Sequence, residues 1–154
     1  MPDKVLESPS EPSARTVAAL TLVNILSHGR STKNAYVKAF HQLTEVDQSF
    51  CKRMVLGVCR FFYQLDALLN HLLQRPFKRK DQDVRAAMLL ALYQLQHLET
   101  EEYAAVAECL KTLEQLDKTW AKNLANGVLR RFIREFRHND KDIGKHICLV
   151  LQSL

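Results

Sequence analysis

Glycine and proline are both scarce in this chain of 154 residues, which contains four of each. The prolines fall at positions 2, 9, 12 and 76, so residues 13–75 and 77–154 contain none. Helix-forming residues dominate both stretches, and runs of β-branched residues are missing from them. Because proline interrupts helices and β-branched residues favour strands, this composition predicts an all-α fold.

The sequence also lacks the features of several kinds of site. No run approaches the roughly 18 apolar residues of a membrane helix, and the N-terminus has no apolar core of a secretory signal. The four cysteines show no CxxC spacing, the histidines form no helix-borne pair, and no glycine-rich turn could hold a phosphate or S-adenosylmethionine. We therefore predict reduced thiols, a cytoplasmic location, and no catalytic, cofactor or metal site in this chain.

Hydrophobic periodicity divides the chain into a series of helices. Ser13 is the expected N-cap of the first, which Gly29 ends, and Asp81 or Asp83 is expected to start the fourth. The third is long and expected to bend near residues 63–66, where Asp66 could cap its second part. The predicted helices cover residues 13–28, 32–43, 44–74, 81–98, 100–116 and 118–137.

A short internal similarity links residues 57–62 with residues 127–132, since each segment has a glycine inside a helical pattern. A glycine in mid-helix costs roughly 1 kcal/mol relative to alanine, so a packing reason is expected. We therefore predict close helix contacts at Gly57 and Gly127. They would lie in two small bundles, each with a glycine-bearing helix at its centre.

The last predicted helix separates most sharply into two faces. We expect its apolar half to be buried and its arginine half to face water or a polyanion, because a guanidinium group matches phosphate oxygens bidentately. A solvated basic helix at a chain end is the alternative. The apolar half comprises Leu124, Ala125, Val128, Leu129, Phe132, Ile133 and Phe136, and the other half Asn123, Asn126, Arg130, Arg134 and Arg137, with Gly127 and Arg131 beside them.

Basic residues recur near helix ends and breaks, in a chain whose formal net charge is +5. Such a charge suggests an acidic partner, and cations that converge on one side would make a phosphate-binding surface. The candidate residues are Arg15, Arg75, Lys78, Arg79, Lys80, Arg130, Arg131, Arg134 and Arg137.

Aromatic residues could add base stacking to such a surface, and five of them are candidates. Aromatics at helical spacing are more often part of the core, so recognition of nucleic acid by shape and backbone is the expectation here. The five are Tyr36, Tyr63, Phe77, Tyr103 and Trp120.

Seven short motifs, in their order and spacing, resemble NusB-like domains. The resemblance is to the N-terminal domain of the RsmB family of ribosomal RNA small-subunit cytosine-C5 methyltransferases, and it covers residues 13–137. It implies two three-helix bundles packed together and a role in holding RNA, with Arg15 matching a basic position of the family's first helix. The motifs are 47–50 (DQSF), 57–60 (GVCR), 65–69 (LDALL), 75–81 (RPFKRKD), 92–95 (LYQL), 104–108 (AAVAE) and 126–132 (NGVLRRF).

The resemblance implies an RNA-binding domain that positions small-subunit ribosomal RNA for methylation by an S-adenosylmethionine-dependent domain outside this chain. No proline precedes a cysteine here, so the Pro-Cys motif of such an enzyme is missing and the chain alone is not expected to be an enzyme. We expect residues 1–12 to be a flexible leader and residues 138–154 a linker toward the methyltransferase region. RNA and the methyltransferase region are the expected partners. Binding to a membrane or to DNA is not expected.

Two other functions remain open at this point. The first is a standalone NusB-type transcription antitermination factor that binds RNA with a ribosomal-protein partner. The arginine-poor start of the first helix argues against it. The second is a helical protein-interaction module, in which an apolar patch of the tail docks a partner without RNA.

Overall fold

A computed structural model describes residues 11–137, and the statements below refer to that part of the chain. These residues form helices and turns without a strand, so the all-α prediction is confirmed. The predicted tail, and the predicted leader apart from residues 11 and 12, lie outside the described residues. The helices are α1 (Ala14–Leu26), α2 (Thr32–Ala35), α3 (Glu45–Arg60), α4 (Phe62–Leu72), α5 (Gln82–His97), α6 (Glu102–Gln115) and α7 (Lys122–Phe132), with 3-10 turns at Lys38–Gln42, Arg79–Asp81 and Thr119–Ala121 and a π-helical turn at Ile133–Arg137.

Helix α5 is the centre of the described fold, since α1, α3, α4, α6 and α7 all pack against it. Every residue of α5 from Ala86 to Leu95 is buried, as expected of a helix enclosed on all sides. The N-terminal helices and the C-terminal helices thus meet on α5 around one continuous hydrophobic core. The helix at the centre of the whole described fold, α5, contains no glycine, and the expectation of a glycine-bearing helix at the centre of each bundle stays a prediction.

Both ends of α1 and the start of α5 agree with the capping residues that the sequence predicts there. The Ser13 hydroxyl accepts a hydrogen bond from the Thr16 amide at 3.2 Å, which confirms the predicted N-cap. Gly29 follows the helix with φ of 65°, in the left-handed region that favours glycine. Helix α5 begins directly after Asp81.

Three predicted helices are interrupted at positions where the sequence pattern predicts no break. The predicted helix 32–43 stops after Ala35. The carbonyl oxygen of Ala35 accepts a hydrogen bond from the side-chain amide of Asn24 (Nδ2) at 2.8 Å. The long third helix breaks at Phe61 instead of near residues 63–66, and Asp66 lies within α4, where it accepts from Arg85 at 3.1 Å. The predicted helix 118–137 is a 3-10 turn, then α7, then a π-helical turn.

The two glycines of the internal similarity have opposite surroundings. A Cβ atom at Gly57 would lie 2.0 Å from the Tyr93 ring, so the predicted close packing is confirmed there. At Gly127 a Cβ atom would meet nothing within 4 Å, because this side of α7 is open. The packing prediction for Gly127 is therefore wrong, and Gly127 lies on an open face of α7.

Candidate nucleic-acid interface

The outer face of α7 and the link between α4 and α5 enclose a groove of about 810 Å³. Its walls come from parts of the chain that are distant in sequence: the end of α4 with the segment 73–81, and residues 120–131. A concave surface of this size is large enough to take a nucleotide-sized group. The lining residues are Leu72, Leu73, Gln74, Arg75, Pro76, Phe77, Lys78, Lys80, Asp81, Trp120, Asn123, Leu124, Gly127, Val128 and Arg131.

The first wall is a non-helical link held by side chains of the helix that follows it. The chain leaves α4 at Leu73, in an extended conformation, and Pro76 prevents the helix from continuing. The Gln82 side-chain amide then donates to the carbonyl oxygens of Phe77 and Lys78, at 3.4 and 3.2 Å. These hydrogen bonds fix the link against the start of α5.

Lys118 ties the second wall to the first. Its Nζ donates to the Lys80 carbonyl oxygen and to Asp81 Oδ1, both at 3.1 Å, and lies 3.8 Å from Asp83 Oδ1. The hydrogen bond to the Asp81 carboxylate, assisted by the charges of Asp83 and Asp81, raises the pKa of the Lys118 ammonium above its ordinary value. The short turn that carries Trp120 therefore starts from a fixed point beside the first wall.

The charge of the groove is strongly one-sided. Four lining residues are basic (Arg75, Lys78, Lys80 and Arg131), and Arg75, Lys78 and Lys80 have exposed side chains. The acidic lining residue is Asp81, whose carboxylate is paired with Lys118. The predicted residue Arg79 is exposed in the same link but does not line the groove. The fold thus brings three predicted basic residues of the link together with Arg131 of α7, whereas the predicted residues Arg130, Arg134 and Arg137 do not line the groove.

The arginines of α7 are engaged to different degrees. Arg131 Nε donates to Glu135 Oε1 at 3.0 Å, and Arg130 Nε donates to Asn126 Oδ1 at 3.0 Å, both one turn away along the helix. Such exposed pairs are weak, so both guanidinium groups can still turn toward an anion. Arg134 is exposed and makes no hydrogen bond or ion pair within residues 11–137. It lies in the π-helical turn that follows α7 and does not line the groove.

Two predicted site residues, Arg15 and Arg137, bind the protein itself. Arg137 Nη2 donates to the Thr100 carbonyl oxygen at 2.8 Å, and Nη1 lies 3.9 Å from the Glu102 carboxylate. The expectation that Arg137 stands on the open face with Arg130 and Arg134 is corrected. The π-helical turn that ends the helix widens its winding, and Arg137 lies against the start of α6.

Arg15 lies between helices. Its Nε donates to Gln94 Oε1 at 3.0 Å, its Nη1 lies 3.6 Å from Glu108 Oε2, and its guanidinium stacks 4.9 Å from the centre of the Phe50 ring. These contacts join α1 to α5, α6 and α3. Arg15 does not line the groove, and its assignment to RNA binding stays a prediction.

Apolar side chains line the groove where the sequence pattern predicted burial. Leu124 belongs to the predicted buried half of the last helix, yet it is 38% exposed and forms part of the groove. Trp120 is 58% exposed, and Tyr63 and Tyr103 are also exposed, so these three candidates do not follow the usual burial of aromatic residues at helical spacing. Phe77 is partly buried against the core. In the sequence, the signal for this groove is Trp120, the single tryptophan, which lies just before the amphipathic helix α7.

The cysteine thiols within residues 11–137 are held in their protonated form by burial. Burial raises the pKa of the Cys51 and Cys109 thiols to about 12, and it also raises that of Cys59. No cluster of histidine, cysteine and acidic residues that could hold a metal ion occurs in this part of the chain. None of the described helices combines the length and the apolar character needed to cross a membrane.

Comparison with known proteins places the chain in a family. Residues 12–134 match the NusB family. The chain is 37% identical over 121 residues to the ribosomal RNA small subunit methyltransferase B of Pseudomonas putida, covering 79% of this chain and 28% of that protein. It is 32% identical over 134 residues to the protein of that name from Pasteurella multocida; the match covers 87% of this chain and 30% of that protein. The corresponding Escherichia coli protein is 31% identical over 121 residues. The chain thus spans less than a third of the length of these relatives.

Proposed function

This chain belongs to the NusB family, and we propose that it binds RNA through the groove between α7 and the link that joins α4 to α5. The observation that carries the proposal is the convergence of Arg75, Lys78, Lys80 and Arg131 around one concave surface. The acidic residue among them, Asp81, is already neutralised by Lys118. A surface with this charge fits a phosphate backbone, which is the dominant source of affinity for nucleic acid.

We further propose that the RNA is small-subunit ribosomal RNA, held for cytosine C5 methylation by a separate, S-adenosylmethionine-dependent domain of a longer protein. The names of the relatives support the substrate, and the small share of their length that this chain spans supports a separate catalytic region. In this proposal the chain supplies binding and orientation only. The three cysteines within residues 11–137 are unpaired, and Cys51 and Cys109 are buried, which fits a reducing cytoplasm.

The test of RNA binding replaces two exposed lysines of the groove. In the variant Lys78→Gln/Lys80→Gln, affinity for a single-stranded oligoribonucleotide of about 12 nucleotides should fall. The slope of log affinity against log salt should shrink by about 1 for each lysine that contacts a phosphate. The matched control is Lys33→Gln/Lys38→Gln, which removes the same charge from exposed positions outside the groove.

Filter binding or fluorescence anisotropy between about 50 and 200 mM salt gives both affinity and slope. Equal losses in the groove variant and the control would mean that overall charge, and not this groove, attracts the RNA. No measurable binding by the parent chain at the lowest salt would overturn the proposal.

A further inference from the structure

We infer that Trp120 is a stacking surface for an unpaired nucleobase, so that the groove selects single-stranded over double-helical RNA. The inference rests on the proposed RNA-binding function and adds the class of RNA to it. Three features of the groove carry it: the exposure of the indole, the fixed backbone that carries it, and the arrangement of polar groups around it.

The indole of Trp120 is exposed inside the groove and not on an open surface. It is 58% exposed, whereas Tyr63 and Tyr103, the exposed aromatic rings elsewhere in the described chain, do not line the groove. An aromatic ring of this size has a large apolar area to bury against a flat partner. Stacking of a base on such a ring contributes about 1–3 kcal/mol and tolerates any base, because every base has a π-face.

The backbone that carries the indole is held in place by the fold. Trp120 lies in the 3-10 turn Thr119–Ala121, between the anchored Lys118 and the fully buried Ala121. The Ala121 amide donates to the Lys118 carbonyl oxygen at 2.9 Å, which closes the turn. The backbone of a stacking surface held in this way loses little conformational entropy on binding.

The surroundings of Trp120 match the parts of a nucleotide. Phe77 and Leu124 supply apolar contacts for a base, and the exposed amides of Gln74 and Asn123 can hydrogen bond to its edge. The basic residues at the rim are available to the flanking phosphates. No side chain projects from α7 at Gly127, where a Cβ atom would meet nothing within 4 Å, so the space is free.

A double helix does not satisfy this arrangement. In duplex RNA the base faces are covered by their neighbours, and only edges and backbone are presented to a protein. An indole inside a groove can therefore reach a base face only when that base is unstacked. The Asp and Glu side chains of an acidic peptide could also meet the basic rim, but they have no aromatic face to cover the indole. Charge and shape together favour a single strand.

The experiment uses the fluorescence of the full chain, because Trp120 is its single tryptophan. A single-stranded oligoribonucleotide of about 12 nucleotides without self-complementarity should quench it. The same strand annealed to its complement should bind at least about tenfold more weakly and quench little. Trp120→Ala should weaken binding of the single strand roughly tenfold while leaving the duplex nearly unaffected.

Three further variants separate stacking from folding and from general surface effects. Trp120→Phe keeps an aromatic face and should retain most of the affinity. Tyr103→Ala, which removes an exposed aromatic ring outside the groove, should change nothing. Gly127→Gln adds a side chain on the groove side of α7, where its Cβ atom would meet nothing within 4 Å, and should block the single strand. Thermal unfolding confirms that each variant is folded.

The outcomes distinguish this inference from the proposed function. Unchanged fluorescence at saturating RNA, or equal affinity of Trp120→Ala and the parent for the single strand, would overturn base stacking. If Lys78→Gln/Lys80→Gln still weakens binding in that case, RNA binding by the groove stands. Quenching by polyglutamate but not by RNA would overturn both.

Discussion

Lys118 Nζ lies 3.1 Å from Asp81 Oδ1, and this contact joins the two walls of the groove. Asp81, which is only 5% exposed, precedes α5, whereas Lys118 belongs to the link between α6 and α7. The same ammonium also donates to the Lys80 carbonyl oxygen in the first wall. The shape of a surface built from two distant segments thus depends on one cation.

Replacing Lys118 by methionine should destabilise the protein and weaken RNA binding together. The change leaves the buried Asp81 carboxylate without its cation, which should lower the free energy of unfolding by about 1–3 kcal/mol. The control is Lys122→Met, because Lys122 pairs with a more exposed carboxylate, Glu114, and should cost less than about 0.5 kcal/mol. Urea unfolding measures both, and equal effects would contradict a structural role for Lys118.

Alanine at the two glycines of the internal similarity should have opposite effects. Gly127→Ala should raise the free energy of unfolding by about 0.5–1 kcal/mol, since the new methyl group meets open space in a helix. Gly57→Ala should lower it, because the Cβ atom would lie 2.0 Å from the ring of Tyr93, a buried residue. Thermal or urea unfolding gives the sign, and stabilisation by both would mean that the Tyr93 ring moves aside freely.

Alanine substitutions at Arg134 and Arg137 should have different effects, the first on RNA binding and the second on the free energy of unfolding. Arg134→Ala should weaken RNA binding and change the free energy of unfolding by less than about 0.5 kcal/mol, as for a free surface residue. Arg137→Ala should lower that free energy by about 1 kcal/mol, since it removes the 2.8 Å hydrogen bond to the Thr100 carbonyl. Both remove one positive charge, so an equal loss of RNA affinity would show that only long-range attraction acts.

Stability should fall when the pH is lowered through the titration of His97. Its ring stacks on Phe61 with 3.9 Å between centroids, and burial, followed by the charge of Arg60, lowers the pKa of His97 below its ordinary value. Between the ordinary pKa and the lowered one, the unfolded chain binds more protons than the folded chain. Acid therefore favours unfolding in that interval.

Urea unfolding at about pH 7.5 and about pH 5.5 tests this expectation. His97→Gln should reduce the difference in stability between the two pH values. His28→Gln, at an exposed histidine beyond the end of α1, should leave the difference as it is. If the parent chain and both variants show the same pH dependence of stability, a group other than His97 causes it.

The features that were predicted correctly depend on neighbours along the chain. The Ser13 cap needs only the amide of Thr16, and the start of α5 follows the break imposed by Pro76 and the acidic residues after it. The apolar stripe of α7 is buried as its periodicity indicates, apart from Leu124. Helix periodicity and capping are local properties, so the sequence contains them directly.

The failures share one cause, which is contact with residues far away in the chain. Gly57 and Gly127 have nearly the same local sequence, and only the position of Tyr93 makes one of them crowded. Arg134 and Arg137 share one basic segment, yet Thr100 accepts a hydrogen bond from Arg137 and leaves Arg134 free within the described chain.

By itself, the sequence determined the all-α class, most helix positions, the NusB-like pattern and the presence of excess basic charge. The tertiary structure alone decided which cations meet, since the link 73–81 and helix α7 become neighbours only when both pack around α5. It also decided that Trp120 remains exposed beside those cations. Burial and charge clustering are sums over neighbours in space, and a linear pattern does not specify which neighbours those are.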